Sequence, residues 1–259
     1  MGDVLLRCGR IAAVDTERRS GALDDASGTL VYPVSEAVGL PECDLPAALA
    51  ARLPTAVATA PWEVTGSVVS WTHEVNDTVR EAYPAAIRPD RVALAAWALV
   101  SYDDSPVGPY DEIALTLIGD GDARGHIPFI AVDSPASIVG GRANWLLPKV
   151  LAAFEWAPDG GGVMVRAEQP DAPGWAMSVS WQTVGEPAEV SLPNDLQQVS
   201  RTGDVGWFDG AITGEVAPAV VMVDGQADGP LAAVLRSGRF DGGVMAPCRM
   251  RFGPLRAAG

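Results

Sequence analysis

The sequence predicts a mainly β domain, either a barrel or a sandwich, with a few short helices packed against it. Eight short apolar runs have the composition of strands, at residues 64–71, 92–102, 113–118, 128–132, 163–168, 176–181, 219–223 and 244–252. Segments rich in Gly, Asp and Pro separate several of these runs, at residues 119–125, 158–162 and 169–174. Because no strands alternate regularly with long helices, a dinucleotide-binding α/β fold is not indicated.

Helices are expected to be few and short. Helical patterns occur at residues 45–53, 77–83 and 230–236, and a fourth pattern at 143–154 is interrupted by Pro148. Residues 1–55 are irregular in pattern, so we expect them to form an N-terminal arm or cap. The remaining residues, 56–259, are expected to form one domain.

Composition and charge exclude several classes of protein. Among the 259 residues, 33 are acidic and 18 are basic, which gives a net charge of -15 and disfavours binding to nucleic-acid phosphates or anionic membranes. The longest apolar stretches, such as residues 92–100, are shorter than the roughly 20 residues needed to span a bilayer. The N-terminus carries Asp3, Arg7 and Arg10 instead of an apolar signal-peptide core. We therefore expect a cytoplasmic protein.

No cofactor or metal motif is apparent in the sequence. The two histidines, His73 and His126, are too few for a histidine-rich metal site and are expected to be structural, although either could act as a lone acid or base. Segment 119–125 lacks the ligand spacing of a calcium loop and is expected to be a hairpin turn. Neither a disulfide framework nor a zinc site is indicated by the odd, widely spaced set of cysteines, Cys8, Cys43 and Cys248.

One basic residue stands apart from the others. Of the 18 basic residues, Lys149 is the only lysine, a bias that a GC-rich genome could explain by itself. Lysine nevertheless differs from arginine in one important respect, because a desolvated lysine can lose its proton and become a nucleophile. Lys149 follows Pro148 in an apolar segment, and such surroundings should desolvate its amine.

A second segment belongs with Lys149. Residues 105–113 contain two prolines and a glycine that force a tight turn, after which Tyr110 and Glu112 begin a strand. Residues two apart on a strand point to the same face, so the phenol and the carboxylate can share a cavity. Imine formation by Lys149 would require a depressed pKa, since an ordinary lysine is almost entirely protonated at neutral pH.

These two segments resemble the signatures of the acetoacetate decarboxylase family. The resemblance rests on Tyr110 two places before Glu112, and on the seven-residue step from Arg142 to Lys149 with Pro148 directly before the lysine. It covers residues 60–181 clearly and the C-terminal part loosely. It implies the β-barrel or cone of that family, with Lys149 as the Schiff-base lysine and Glu112 as the pocket carboxylate.

The sequence also departs from the family pattern. Decarboxylases of the family carry a second lysine directly after the first, whose charge lowers the pKa of the nucleophile, whereas this chain has Val150. Trp97 stands where another pocket acid is expected, and the arginine of an early strand has no clear counterpart. Arg142 could supply the missing charge or could be structural. We expect the substrate pocket to be lined by Tyr110, Trp97, Arg142 and Trp145.

These observations leave three functional hypotheses. The first is a lyase that forms a Schiff base through Lys149 with a small keto acid or a polyketide-like ketone, for aldol, dehydration, cyclisation or decarboxylation chemistry. The second is a non-covalent cyclase or a ligand-binding barrel that uses the same pocket. The third is a purely structural subunit. Family members tend to be oligomers, so a homo-oligomer is expected, with a small-molecule ketone or keto acid as the partner.

Overall fold

The computed structural model describes residues 23–24, 30–121, 124–158, 160–168 and 173–258. Cys8, most of the predicted turn at 169–174 and about half of the predicted N-terminal arm lie outside these residues. Cys43 and Cys248 are buried free thiols. No helix in the described ranges has the length and apolar character needed to cross a membrane.

Fifteen strands are present in the described part of the chain. They are β1 (Leu23–Asp24), β2 (Leu30–Val31), β3 (Trp62–Glu74), β4 (Val92–Asp104), β5 (Tyr110–Gly119), β6 (His126–Val132), β7 (Lys149–Trp156), β8 (Gly162–Ala167), β9 (Trp175–Thr183), β10 (Ala188–Pro193), β11 (Leu196–Val199), β12 (Val205–Phe208), β13 (Gly210–Ala227), β14 (Gly238–Phe252) and β15 (Arg256–Ala257). The helices are α1 (Ala47–Ala50), α2 (Pro135–Trp145) and 3-10 turns at Val34–Glu36, Pro41–Cys43, Asp77–Ala82, Ala85–Ile87 and Pro230–Ala233.

A closed barrel forms the body of the protein. Strands β3 to β9 pair in sequence order, and β9 continues through β13 and β14 back to β3. All of these pairs are antiparallel except β6 with β7, which are parallel and joined by α2. Strand β10 extends the sheet from β13, while β11, β12 and β15 form a small separate sheet. The predicted mainly β fold is confirmed, as a barrel and not as a sandwich.

The predicted helices are shorter than the sequence pattern suggested. The patterns at 77–83 and 230–236 are 3-10 turns, and the pattern at 45–53 contains only the single turn of α1. The prediction at 143–154 needs a correction, because α2 ends at Trp145 and residues from Lys149 onward form a strand. Leu146 adopts a left-handed conformation with φ of 57°, and Pro148 has no N–H with which to continue the helix.

The interior of the barrel is a packed hydrophobic core. It receives side chains from all nine barrel strands and contains a chain of aromatic contacts. Trp71 stacks on Trp97 at 6.0 Å between ring centroids, Trp97 meets Phe129 at 6.0 Å, and Phe129 meets Trp175 at 5.0 Å. Side chains therefore fill the lumen, as in other small barrels.

A second core lies outside the barrel, beneath α2. The helix begins with Ser134, whose side chain accepts a hydrogen bond from the backbone N–H of Ser137, followed by Pro135 at the first helical position. Nine of its eleven residues are buried, so α2 has no polar face that a periodicity argument could detect. It packs against Trp62 of β3 and against the small sheet.

Gly140 allows α2 to approach the barrel closely. A Cβ atom at this position would lie 2.5 Å from the Trp62 ring. We therefore expect Gly140→Ala to destabilise the fold by about 1–3 kcal/mol through overpacking, partly offset by up to about 1 kcal/mol of improved helix propensity. Thermal unfolding should show a lower midpoint for this variant. Ala86→Ser, which adds one atom at an exposed position, is the control and should leave the midpoint nearly unchanged.

Candidate functional site

Lys149 and Glu112 meet in the second core, between the outer face of the barrel and α2. The Lys149 ammonium Nζ lies 2.6 Å from Glu112 Oε2 and 2.9 Å from the Ser137 hydroxyl, to which it donates. The Tyr110 hydroxyl is 3.4 Å from the same nitrogen. Lys149 is 3% exposed and Glu112 is 6% exposed, so the pair is removed from bulk water.

Strand geometry brings these groups together. Lys149 is the first residue of β7 and pairs with Ile130 of β6, while Glu112 of β5 pairs with Val132 of β6. A tight turn, in which the N–H of Lys149 donates to the Leu147 carbonyl at 2.7 Å, directs the chain from α2 into β7. The predicted juxtaposition of Tyr110, Glu112 and Lys149 is present in the structure.

Two further members of the site were not identified from the sequence. Tyr102 of β4 donates a hydrogen bond from its hydroxyl to Glu112 Oε1 at 3.1 Å, and its ring lies 4.4 Å from that of Tyr110. Ser137 contacts Lys149 from α2, one helical turn before Gly141. A Cβ atom on Gly141 would lie 2.5 Å from Lys149 Cδ. Ser137 and Gly141 are four residues apart in the sequence, and this spacing is the signal that places both on one face of α2.

The contacts of Lys149 do not provide the depressed pKa that imine formation requires. Burial by itself would lower the pKa, but the Glu112 carboxylate and Tyr110 raise it above its ordinary value. The resting lysine is therefore an ammonium paired with a carboxylate. Burial also raises the pKa values of Tyr102 and Tyr110, so both phenols are neutral hydrogen-bonding groups at physiological pH.

The orientation of Val150 shows that a lysine at this position would have little direct influence on the pKa of Lys149. Successive strand residues point to opposite faces, and the Val150 side chain lies in the core inside the barrel. A lysine at this position would point away from the Lys149 amine. The identity of residue 150 therefore does not decide the charge state of Lys149 through direct contact.

Arg142 does not face the Lys149 ammonium. Its guanidinium donates to the backbone carbonyls of Cys43 at 2.6 Å, Lys149 at 2.7 Å, Val34 at 3.2 Å and Ala37 at 3.4 Å. Burial lowers its pKa to about 10, which still leaves the group charged at neutral pH. The expectation that Arg142 lines a substrate pocket is not met, because it joins α2, the start of β7 and the N-terminal segment.

The two predicted tryptophans also lie away from the Lys149 amine. Trp97 pairs with Leu115 and points into the barrel, on the face of the sheet opposite to Glu112. Trp145 lies at the end of α2, where its indole N–H donates to the Gly253 carbonyl at 2.6 Å and its ring meets Trp62 edge-on. Both side chains pack the cores, and neither is placed with Lys149 in one pocket.

A surface hollow lies beside the strand ends that carry the two tyrosines of the site. It has a volume of about 350 Å³ and is lined by Ser101, Tyr102, Asp103, Pro109, Tyr110, Asp111 and Asp133. A larger hollow of about 820 Å³, between β3, β10, β13 and β14, contains none of the predicted site residues. The Asp103 and Asp111 side chains alternate along β4 and β5 with those of Tyr102, Tyr110 and Glu112. They therefore point to the face of the sheet opposite to the Lys149–Glu112 pair.

Comparisons with known proteins agree with this architecture. The family model for acetoacetate decarboxylase matches residues 45–209, which is more than half of the chain. The chain belongs to the acetoacetate decarboxylase family. The match begins ten residues before the end of the predicted N-terminal arm. A search of curated proteins gives no match.

Solved structures of this family share the fold at low sequence identity. Acetoacetate decarboxylase from Legionella pneumophila is 11% identical, with a TM-score of 0.54 over 80% of this chain and 92% of its own. An acetoacetate decarboxylase-like enzyme from Sphingomonas wittichii RW1 is 15% identical, with a TM-score of 0.55 over 78% and 94%. The enduracididine biosynthesis enzyme MppR, complexed with the condensation product of pyruvate and imidazole 4-carboxaldehyde, is 15% identical, with a TM-score of 0.51 over 78% and 90%.

If Arg142 is structural, its removal must weaken the fold. Arg142→Met takes the donors away from four backbone carbonyls, and we expect it to reduce the free energy of unfolding by about 3–5 kcal/mol. Denaturant unfolding measures this loss. Arg52→Met is the matched control, since exposed Arg52 donates a single bond to the Ala48 carbonyl and should cost less than about 0.5 kcal/mol. Unchanged stability of Arg142→Met would contradict the structural role.

His126 makes the stability of the fold depend on pH in the acidic range. Burial lowers the pKa of His126 to about 4, so the folded state favours the neutral ring. The associated stability is present above the ordinary pKa of 6.5 and is lost as the pH falls toward 4, by roughly 3 kcal/mol in total. Unfolding of the wild type should show this loss between pH 6.5 and 4. In His126→Gln the slope should decrease by about one proton, and an identical slope in both proteins would refute the assignment.

Proposed function

We propose that this chain is a lyase that forms an imine between Lys149 and a carbonyl substrate. The observation that carries the proposal is the 2.6 Å contact between Lys149 Nζ and Glu112 Oε2 in a buried setting. A carboxylate at this distance can accept the lysine proton directly. A buried pair also favours the neutral amine and neutral acid more than an exposed pair would, because burial penalises both charges.

Proton exchange within the pair supplies the nucleophile. Glu112 takes a proton from the ammonium, and the neutral amine then adds to the carbonyl carbon. Protonated Glu112 donates to the carbonyl oxygen, takes a proton from the new C–N nitrogen and returns it to the hydroxyl, which leaves as water. The products are an iminium on Lys149 and an ionised Glu112, so the overall charge of the site is unchanged.

The iminium then acts as an electron sink. It can accept the electron pair released by loss of CO2, by retro-aldol cleavage or by removal of a proton from the adjacent carbon. Glu112 and the neutral phenol of Tyr110 offer the acid and base that aldol condensation, dehydration or cyclisation require. The complex of MppR with a condensation product supports this choice, because the same fold holds such a product there. We therefore favour these reactions over decarboxylation.

A second candidate function keeps the ion pair intact. The raised pKa of Lys149 and its three polar contacts hold the amine as an ammonium, and a non-covalent cyclase or binding protein could use it as a hydrogen-bond donor. The barrel lumen is filled by the aromatic core, so a ligand of this kind would bind on the α2 side of the sheet, where Lys149 lies. Binding of a ketone without covalent capture would support this second function.

Other expectations from the sequence stay predictions. They concern assembly into a homo-oligomer, a cytoplasmic location, a small-molecule partner, and the division between an arm at 1–55 and a domain at 56–259. Backbone contacts join the described part of the arm to the barrel, among them the bond from the Leu40 N–H to the Pro128 carbonyl at 2.8 Å.

Reductive trapping tests imine formation on the wild-type protein. Because Lys149 is the only lysine in the chain, borohydride treatment with a ketone can modify only its amine and the N-terminal amine. We expect one mass increment on the peptide that contains Lys149. Lys149→Met, which removes the amine, should lose this increment and nearly all turnover. An unmodified Lys149 peptide across a broad panel of ketones would overturn the proposal.

A further inference from the structure

The charge balance of the site points to a substrate without a negative charge. We infer that it serves neutral or cationic ketones and aldehydes in preference to keto acids. This inference rests on the imine chemistry proposed above and names the class of carbonyl compound that the same site would take.

The first argument is the number of charges in the buried site. The Lys149 ammonium is balanced by the Glu112 carboxylate at 2.6 Å, and the iminium keeps the same positive charge beside the same carboxylate. Ser137 and the two neutral phenols contribute no charge. A substrate carboxylate would leave one negative charge without a partner, and an unpaired buried charge is strongly unfavourable. A neutral or cationic group avoids this cost.

The second argument is that Arg142 cannot supply the missing positive charge. The guanidinium donates to four backbone carbonyls, three of them in residues 34–43 and one at Lys149. Turning the guanidinium toward the amine would leave these carbonyls without their donor. A keto acid would therefore not find the Arg142 guanidinium available to pair with its carboxylate.

The third argument is the charge carried at the neighbouring strand ends. The hollow beside residues 102 and 110 carries the carboxylates of Asp103, Asp111 and Asp133, and none of its lining residues is basic. Asp111 accepts a hydrogen bond from the Trp156 indole at 2.6 Å, and Asp133 accepts one from the Asp111 backbone N–H at 2.9 Å, but neither contact neutralises charge. The hollow repels anions and attracts cations, and the net charge of -15 adds to this effect.

Trapping with three small carbonyl compounds tests the inference. Pyruvate, its neutral isostere pyruvamide and cationic aminoacetone are each incubated with wild-type protein and cyanoborohydride, and the modified Lys149 peptide is quantified over time. The rate for each compound is divided by its rate with free butylamine, which removes differences in intrinsic reactivity. We expect pyruvamide to be trapped at least tenfold faster than pyruvate, and aminoacetone at least as fast as pyruvamide.

The double variant Asp103→Asn/Asp133→Asn isolates the contribution of the hollow. It changes two exposed carboxylates that do not contact the Lys149 amine, and it should raise pyruvate trapping severalfold relative to pyruvamide. Wild-type protein that traps pyruvate as fast as pyruvamide, or faster, would overturn the inferred charge selection and leave the imine proposal standing. Failure of all three compounds to modify Lys149 would overturn both.

Discussion

The buried contact between Lys149 and Glu112 is the constraint on which the arrangement of this site depends. An ammonium at this depth requires a carboxylate within hydrogen-bonding distance, and the remaining protons and lone pairs of both groups require partners. Tyr102 satisfies the second carboxylate oxygen, while Ser137 and Tyr110 contact the ammonium. The buried pair therefore keeps its partners only if three separate segments, β4–β5, α2 and β7, hold their relative positions.

The location of this pair follows from the filling of the barrel. Aromatic and aliphatic side chains occupy the lumen and leave no space there for a polar site. The other large buried region is the outer face of the barrel under α2. Two adjacent glycines in α2 make this possible. Gly140 accommodates Trp62 and Gly141 accommodates the aliphatic stem of Lys149. The helix thus covers the lysine stem closely and leaves the polar end between Ser137 and Glu112.

Arg142 connects the site to the N-terminal part of the chain without taking part in its polar contacts. The guanidinium binds the carbonyl of Lys149 together with carbonyls in residues 34–43, so the start of β7 and the N-terminal segment are fixed to the same helix. The proximity of Arg142 and Lys149 in the sequence motif therefore has a structural reason. It also means that the site contains one cation and one anion, which is the basis of the charge selection proposed for its substrate.

The sequence by itself determined the β fold, the turn before β5 and the placement of Tyr110 with Glu112, because alternation along a strand and turn chemistry are local properties. It also singled out Lys149, through its apolar setting and its family motif. Only the tertiary structure decided which face of the sheet each side chain joins. Trp97 and Val150 point into the lumen, Trp145 and Arg142 fasten α2, and Ser137 and Tyr102 complete the site. Contacts between distant segments also fixed the charge of Lys149, since burial alone predicts a lowered pKa and the neighbouring carboxylate reverses it.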